Sequence, residues 1–146
     1  MSAQEGTLKK LGHLKLPVQK KCVTTFQDLP AEVCQSVGDV LARVGDKWSI
    51  LTISMLARGS MRFSELKRSI GSISQKVLTT TVRGLERDGY ISRKVTPTVP
   101  PRVDYELTEL GRDVLVPVTA LAKWALMSRD RVEAARADFD RIAQPH

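Results

Sequence analysis

Two short apolar repeats at helical spacing, Phe63-Leu66-Ile70 and Leu78-Val82-Leu85, have little more than Gly71-Ser72-Ile73-Ser74 between them. At Asp88-Gly89 the apolar period then changes from helical to alternating. Few arrangements satisfy that order: a short helix capped at Gly71, a tight turn, a second helix capped by a serine, and a hairpin. Either Ser72 or Ser74 can accept from the exposed N–H groups of the second helix, and Ser72-x-x-Gln75 fits a capping box. Tyr90 to Thr96 and Arg102 to Leu107 read as the two strands. Pro97, Pro100 and Pro101 lengthen the tip and discourage edge pairing.

The flanking segments are helical by the same reasoning. Acids and a proline near Asp28-Leu29-Pro30-Ala31-Glu32 suit a helix start, and Val33, Val37, Val40, Leu41 and Val44 form a stripe that ends at Gly45. Lys47 to Ala57 is apolar nearly all round, which predicts a central helix with Trp48 in the core, stopped at Gly59. Phe63 is likewise read as core, and Tyr105 as packing against the helices. Thr108 is a good N-cap for a last helix carrying Val114, Leu115, Val118, Leu121, Ala122, Ala125 and Leu126, with a bend at Pro117. From Arg129 to Ile142 four arginines balance four acids, and Val132, Ala135 and Phe139 predict a further amphipathic helix. Residues 1–29 hold five lysines and little periodicity, and are expected to form a basic, partly disordered arm.

The fold class expected is therefore mainly α with a small β-hairpin wing: a winged helix-turn-helix with flanking dimerisation helices. The expected division is an arm at 1–29, the winged domain at 30–128 and a charged helical tail at 129–146. The chain's 146 residues suffice for one compact core. No run approaches the roughly 18 apolar residues of a spanning helix. Two cysteines, Cys22 and Cys34, and no apolar signal segment predict a reducing, cytoplasmic setting and no membrane association.

Charge narrows the partner. Between Arg58 and Arg102 ten Lys or Arg face three acids, a net of +7 that equals the formal charge of the whole chain. Cations confined in this way favour a polyanion, most plausibly nucleic acid, over a merely solvated surface. Gln75, Lys76, Thr79, Thr80, Arg83 and Arg87 share the outer face of the second short helix, and such side chains reach base edges or phosphates in a major groove. Aromatic content of 5% speaks against the stacked rings that single-stranded and RNA ligands require. No metal-ligand spacing, phosphate-binding glycine loop or catalytic constellation is present, and His13 and His146 fall in the tails, so neither enzyme activity nor a cofactor is expected.

Several blocks together resemble the signature of HxlR-type winged helix-turn-helix transcription regulators. They are Gly45-Asp46-Lys47-Trp48, Arg62-Phe63-Ser64-Glu65-Leu66, Ile73-Ser74-Gln75-Lys76-Val77-Leu78, Leu85-Glu86-Arg87-Asp88-Gly89, Val99-Pro100-Pro101-Arg102-Val103-Asp104-Tyr105-Glu106-Leu107-Thr108 and Glu109-Leu110-Gly111. The resemblance covers about Cys34 to Trp124 and is specific through the combination of motifs in order. It implies a dimeric DNA binder acting on a pseudo-palindromic operator of a nearby operon, with repression the expected sense. It also implies a recognition helix at about Ser74 to Arg87. On that basis Gln75, Lys76, Thr79, Thr80 and Arg83 are assigned to the recognition surface, Arg62 and Lys67 to phosphates, and Arg93, Lys94 and Arg102 to the wing.

Cys34 stands fourteen residues ahead of Trp48, the spacing at which many members of that family carry an oxidant- or electrophile-sensing cysteine. The positive end of a helix favours the thiolate, the reactive form of a cysteine. Cys34 also shares the stripe of Val37 and Leu41, where packing is the plain alternative, and Gln35 replaces a proline common in the sensors. Cys22, in the lysine-rich arm, is the candidate resolving partner. Two other readings stay open: an interaction module holding protein partners, and a regulator answering a small ligand with Cys34 inert.

Overall fold

The computed structural model describes residues 29–143; most of the arm, with His13, Cys22 and Asp28, and the terminal His146 lie outside the described residues. The elements are α1 (Ala31–Val44), α2 (Lys47–Leu56), β1 (Met61–Arg62), α3 (Phe63–Ile70), α4 (Gln75–Arg87), β2 (Ile91–Thr96), β3 (Arg102–Leu107) and α5 (Glu109–Ala143). All elements from α2 onward, and the core they share, lie in the unit Ser36–His146.

Helix α2 is the hub, packed against α3, α4, α5 and β3. Its start is set by Asp46, whose carboxylate accepts from the backbone N–H groups of Trp48 and Ser49 at 3.1 and 3.0 Å. Around Ile53 and Leu56 the core gathers Leu66 of α3, Ile73 of the turn, Leu78, Val82 and Leu85 of α4, and Tyr90, Ile91, Tyr105 and Leu107 of the hairpin. Trp48 and Phe63 pack against this cluster and Tyr105 is buried within it. Removing such apolar area from water stabilises by about 1.5–3 kcal/mol per large side chain, so the helix-turn-helix and the hairpin are held by one shared interior.

Local chemistry positions α3 and α4. Gly71 ends α3 with φ +82°, a backbone conformation that residues with a Cβ rarely adopt. Of the two candidate capping serines it is Ser74 that serves: its Oγ accepts from the Val77 N–H at 3.2 Å. The Ser72 N–H instead bonds the Ile70 carbonyl, so the capping box expected from Ser72 is not formed.

The sheet has three strands rather than the two of the expected hairpin. Its order is β1-β3-β2, antiparallel throughout, with β1 contributing the pairs Met61↔Tyr105 and Arg62↔Asp104. In the hairpin proper, Ile91 pairs with Leu107 and Thr96 with Arg102. At the C-terminal side, the two helical stretches expected on either side of Arg129 are a single helix of 35 residues, with Pro117 inside it. Thr108 caps it, accepting from the Gly111 N–H at 3.1 Å. Among the described residues no helix is long and apolar enough to cross a membrane.

Candidate nucleic-acid interface

Helix α4 buries Leu78, Thr81, Val82 and Leu85 and turns Gln75, Lys76, Thr80 and Arg83 to the outside, with Thr79 half-buried between the faces. No acid occupies its first turn, so the positive end of its dipole carries no compensating carboxylate of its own. The threonines are already engaged: Thr79 Oγ1 donates to the Gln75 carbonyl at 2.8 Å and Thr80 Oγ1 to that of Lys76 at 3.0 Å. Each therefore presents a methyl group and acceptor lone pairs rather than a donor. Donation from this face falls to Gln75, Lys76 and Arg83, with Arg87 exposed in the last turn.

The register of the sheet arranges the wing cations around one carboxylate. Asp104 on β3 pairs with Arg62 of β1 on one side and Lys94 of β2 on the other. Arg102, two residues along the same strand, donates through Nε to Asp104 at 2.9 Å. That bond first, and then the charges of Arg102, Arg62 and Lys94, holds the Asp104 carboxyl below the usual aspartate range, against a partial desolvation that pushes it up. The same bond keeps Arg102 still more firmly protonated. The role of Asp104 comes from cross-strand neighbours that only the register brings together.

This pair has a testable consequence at low pH. A carboxyl with a depressed folded-state pKa contributes stability that is complete above its unfolded value of about 3.9. The contribution is lost as pH falls from there through the lower folded value. Acid titration followed by amide exchange should show the β2 and β3 amides losing protection in that window, and Asp104→Asn should abolish the step.

The ten residues assigned to DNA contact divide over separate surfaces. Gln75, Thr79 and Arg83 of α4 meet Arg93 of β2 along a cleft of about 380 Å3 whose floor includes Phe63, Val82 and Tyr105, with Glu86 also on its wall. Lys76 and Thr80 face a different hollow, shared with Arg43, Asp46 and Trp48. Arg62 and Arg102 border a third, with the wing-tip residues Thr98 to Pro101. Lys94 is exposed on β2 and Lys67 half-buried on α3. Cys34 lies in the first turn of α1, half-buried, its thiol donating to the Leu29 carbonyl at 3.6 Å.

Comparison with known proteins gives these positions a context. The HxlR-like helix-turn-helix family model matches residues 43–133. The HTH-type transcriptional regulator YtfH of Escherichia coli (strain K12) is 42% identical over 109 residues, spanning 75% of this chain and 86% of the relative. Among solved structures, the transcriptional regulator ytfH from Salmonella typhimurium superposes with a TM-score of 0.64 at 40% identity, covering 69% of this chain and 90% of its own. The redox regulator HypR in its reduced form superposes with a TM-score of 0.63 at 37% identity, over 68% of this chain and 98% of its own.

Proposed function

The chain belongs to the HxlR-like helix-turn-helix family of transcriptional regulators, and from that premise we propose that it acts as a homodimeric, sequence-specific repressor on a pseudo-palindromic operator. Helix α4 enters the major groove, where Gln75, Lys76, Thr79, Thr80 and Arg83 face the bases and their flanking phosphates. Arg62, Lys67, Arg93, Lys94 and Arg102 follow the backbone. The protein is a cytoplasmic, non-enzymatic binder. The observation that carries this reading is the cleft on which Gln75, Thr79 and Arg83 converge with Arg93 of the wing.

Dimerisation is supported by apolar surface left uncovered. Val40 and Leu41 of α1 are half exposed, and on α5 Trp124, Leu126, Met127, Phe139 and Ile142 are largely exposed. Along α5 the exposed Leu121, Ala125, Val132, Ala135, Phe139 and Ile142, together with the buried Val118 and Ser128, recur at alternating spacings of three and four, the pattern of a helix-pairing seam. Two-fold pairing places two recognition helices about one DNA turn or more apart.

The expected signal is an oxidant or electrophile at Cys34. A peroxide-class oxidant would convert the thiol to a sulfenic acid and leave as water. The similarity to a protein described as a redox regulator supports this assignment. The deciding experiment is salt-titrated binding to the protein's own upstream intergenic DNA, reduced and oxidised, beside Cys34→Ser. Affinity should fall roughly a thousandfold between about 50 and 200 mM salt if six or more phosphates are neutralised. Oxidant should release the wild type and leave the Cys34→Ser variant bound. Indifference to oxidant would move the signal to a small ligand, and binding no better than to random duplex would leave a protein-interaction module.

A further inference from the structure

Helix α1 has no buried residue. Its last turn makes the attachment: Val44 packs on the core, and Arg43 reaches across to the far end of α4. Arg43 Nε donates to Asp88 Oδ2 at 2.8 Å, and both side chains are only about one-third exposed. Asp88 is the C-cap of α4. The guanidinium lies over Gly84 in the last turns of that helix, in the space a Cβ would occupy. Arg43 also borders the hollow that holds Lys76 and Thr80, so one side chain spans the flank of α4 behind its outward-facing residues.

A glycine in a helix interior is unfavourable by intrinsic propensity. The atoms nearest the space beside Gly84, outside its own helix, all belong to the end of the Arg43 side chain, so a methyl group there first meets a movable guanidinium. The glycine therefore clears a seat for Arg43 rather than relieving a packed core. We propose that Arg43 is a positioning residue for DNA binding: seated on Gly84 and paired with Asp88, it fixes the angle between the last turn of α1 and the recognition helix. In the dimer proposed above, on which this inference rests, that angle sets the separation of the two recognition helices and hence the half-site spacing the protein accepts.

Two substitutions perturb the seat in electrostatically different ways. Gly84→Ala displaces the guanidinium without changing charge and favours the helix, so its melting temperature should be unchanged or raised. Asp88→Asn removes the ion pair while keeping the shape of the cap. Loss of a negative charge would by itself tighten binding to a polyanion, so weaker binding in this variant identifies a geometric role. The test measures affinity of the wild-type and variant full-length chains for a palindrome selected from random duplex. Matched duplexes with the spacer lengthened or shortened by single base pairs, and a duplex with one half-site, complete the set.

Both variants should lose about tenfold, the factor equivalent to about 1.4 kcal/mol, on the preferred spacer. Both should bind the altered spacers almost equally well and match the wild type on the single half-site. Variants that keep the wild-type spacer preference overturn the inference. Equal losses on every duplex, including the half-site, also overturn it, because they would mark a merely structural role. A wild type that prefers no duplex at all removes the function proposed above; a wild type with a sharp preference shared by both variants removes this inference alone.

Discussion

Gly111→Ala should destabilise the fold by about 3 kcal/mol, lowering the melting temperature by about 10 °C, although it places a better helix former in the first turn of α5. The gain in helix propensity is at most about 1 kcal/mol. Against it stands a collision: a Cβ at Gly111 would meet the backbone carbonyl oxygen of Tyr90, with Leu107 Cδ2 close by at 3.1 Å. That carbonyl already accepts from the Thr108 N–H at 3.1 Å, and Thr108 caps the same helix. Backbone cannot rotate aside as a side chain can, so the first turn of α5 has to lift from the start of β2. Tyr90, Ile91 and Leu107, all in the core, lie at that junction. Thermal unfolding of Gly111→Ala beside Gly84→Ala checks the argument, because the atoms nearest the second methyl belong to a movable side chain, whose displacement should be offset by the gain in helix propensity. Equal melting temperatures for the two variants would contradict it.

The same distinction between local and distant causes explains what could be read before the fold was known. Ser74, Gly71 and Thr108 act within a few residues of themselves, so the capped α3-turn-α4 unit and the start of α5 are legible in the chain. The hairpin is legible because Val103, Tyr105 and Leu107 alternate with polar residues along β3, and the prolines of the tip separate it from a second short segment, β2. Strand β1 is not, since two residues carry no period; Met61 and Arg62 are extended only through their pairing with β3. The charges beyond Arg129 suggest a separate tail, yet the apolar positions keep their spacing past them, and the loss of one backbone donor at Pro117 does not end a helix of this length. The cluster around Asp104 and the tie from Arg43 to Asp88 depend on register and on a separation of 45 residues. No local pattern encodes either. Of the candidate interface, most of the outward face of α4 is legible in its helical period, although Thr79 is half-buried, whereas its division between two hollows is a property of what packs beside it.

The lining of the cleft separates the work expected of Arg83 from that of Arg93, although both border it. Glu86 stands on the wall with them, and a carboxylate there repels phosphate oxygens. A base edge suits the mixture better: a guanidinium donates in two places to guanine O6 and N7, while a carboxylate accepts from cytosine N4. Arg83, on the recognition helix, is accordingly expected to read a base, and Arg93, on the wing strand, to neutralise a phosphate. Arg83→Ala should leave the melting temperature unchanged, because the side chain is exposed. It should weaken binding to the preferred palindrome by about 2 kcal/mol, or roughly thirtyfold, and relax discrimination at one base pair in each half-site. Arg93→Ala should weaken all duplexes together and reduce the logarithmic salt slope by about 1. Binding isotherms at several salt concentrations on the palindrome and on single-base-pair variants of it resolve the two. If Arg83→Ala instead lowers the slope and keeps the sequence preference, the cleft holds backbone, and base reading passes to Lys76 and Thr80 on the other side of α4.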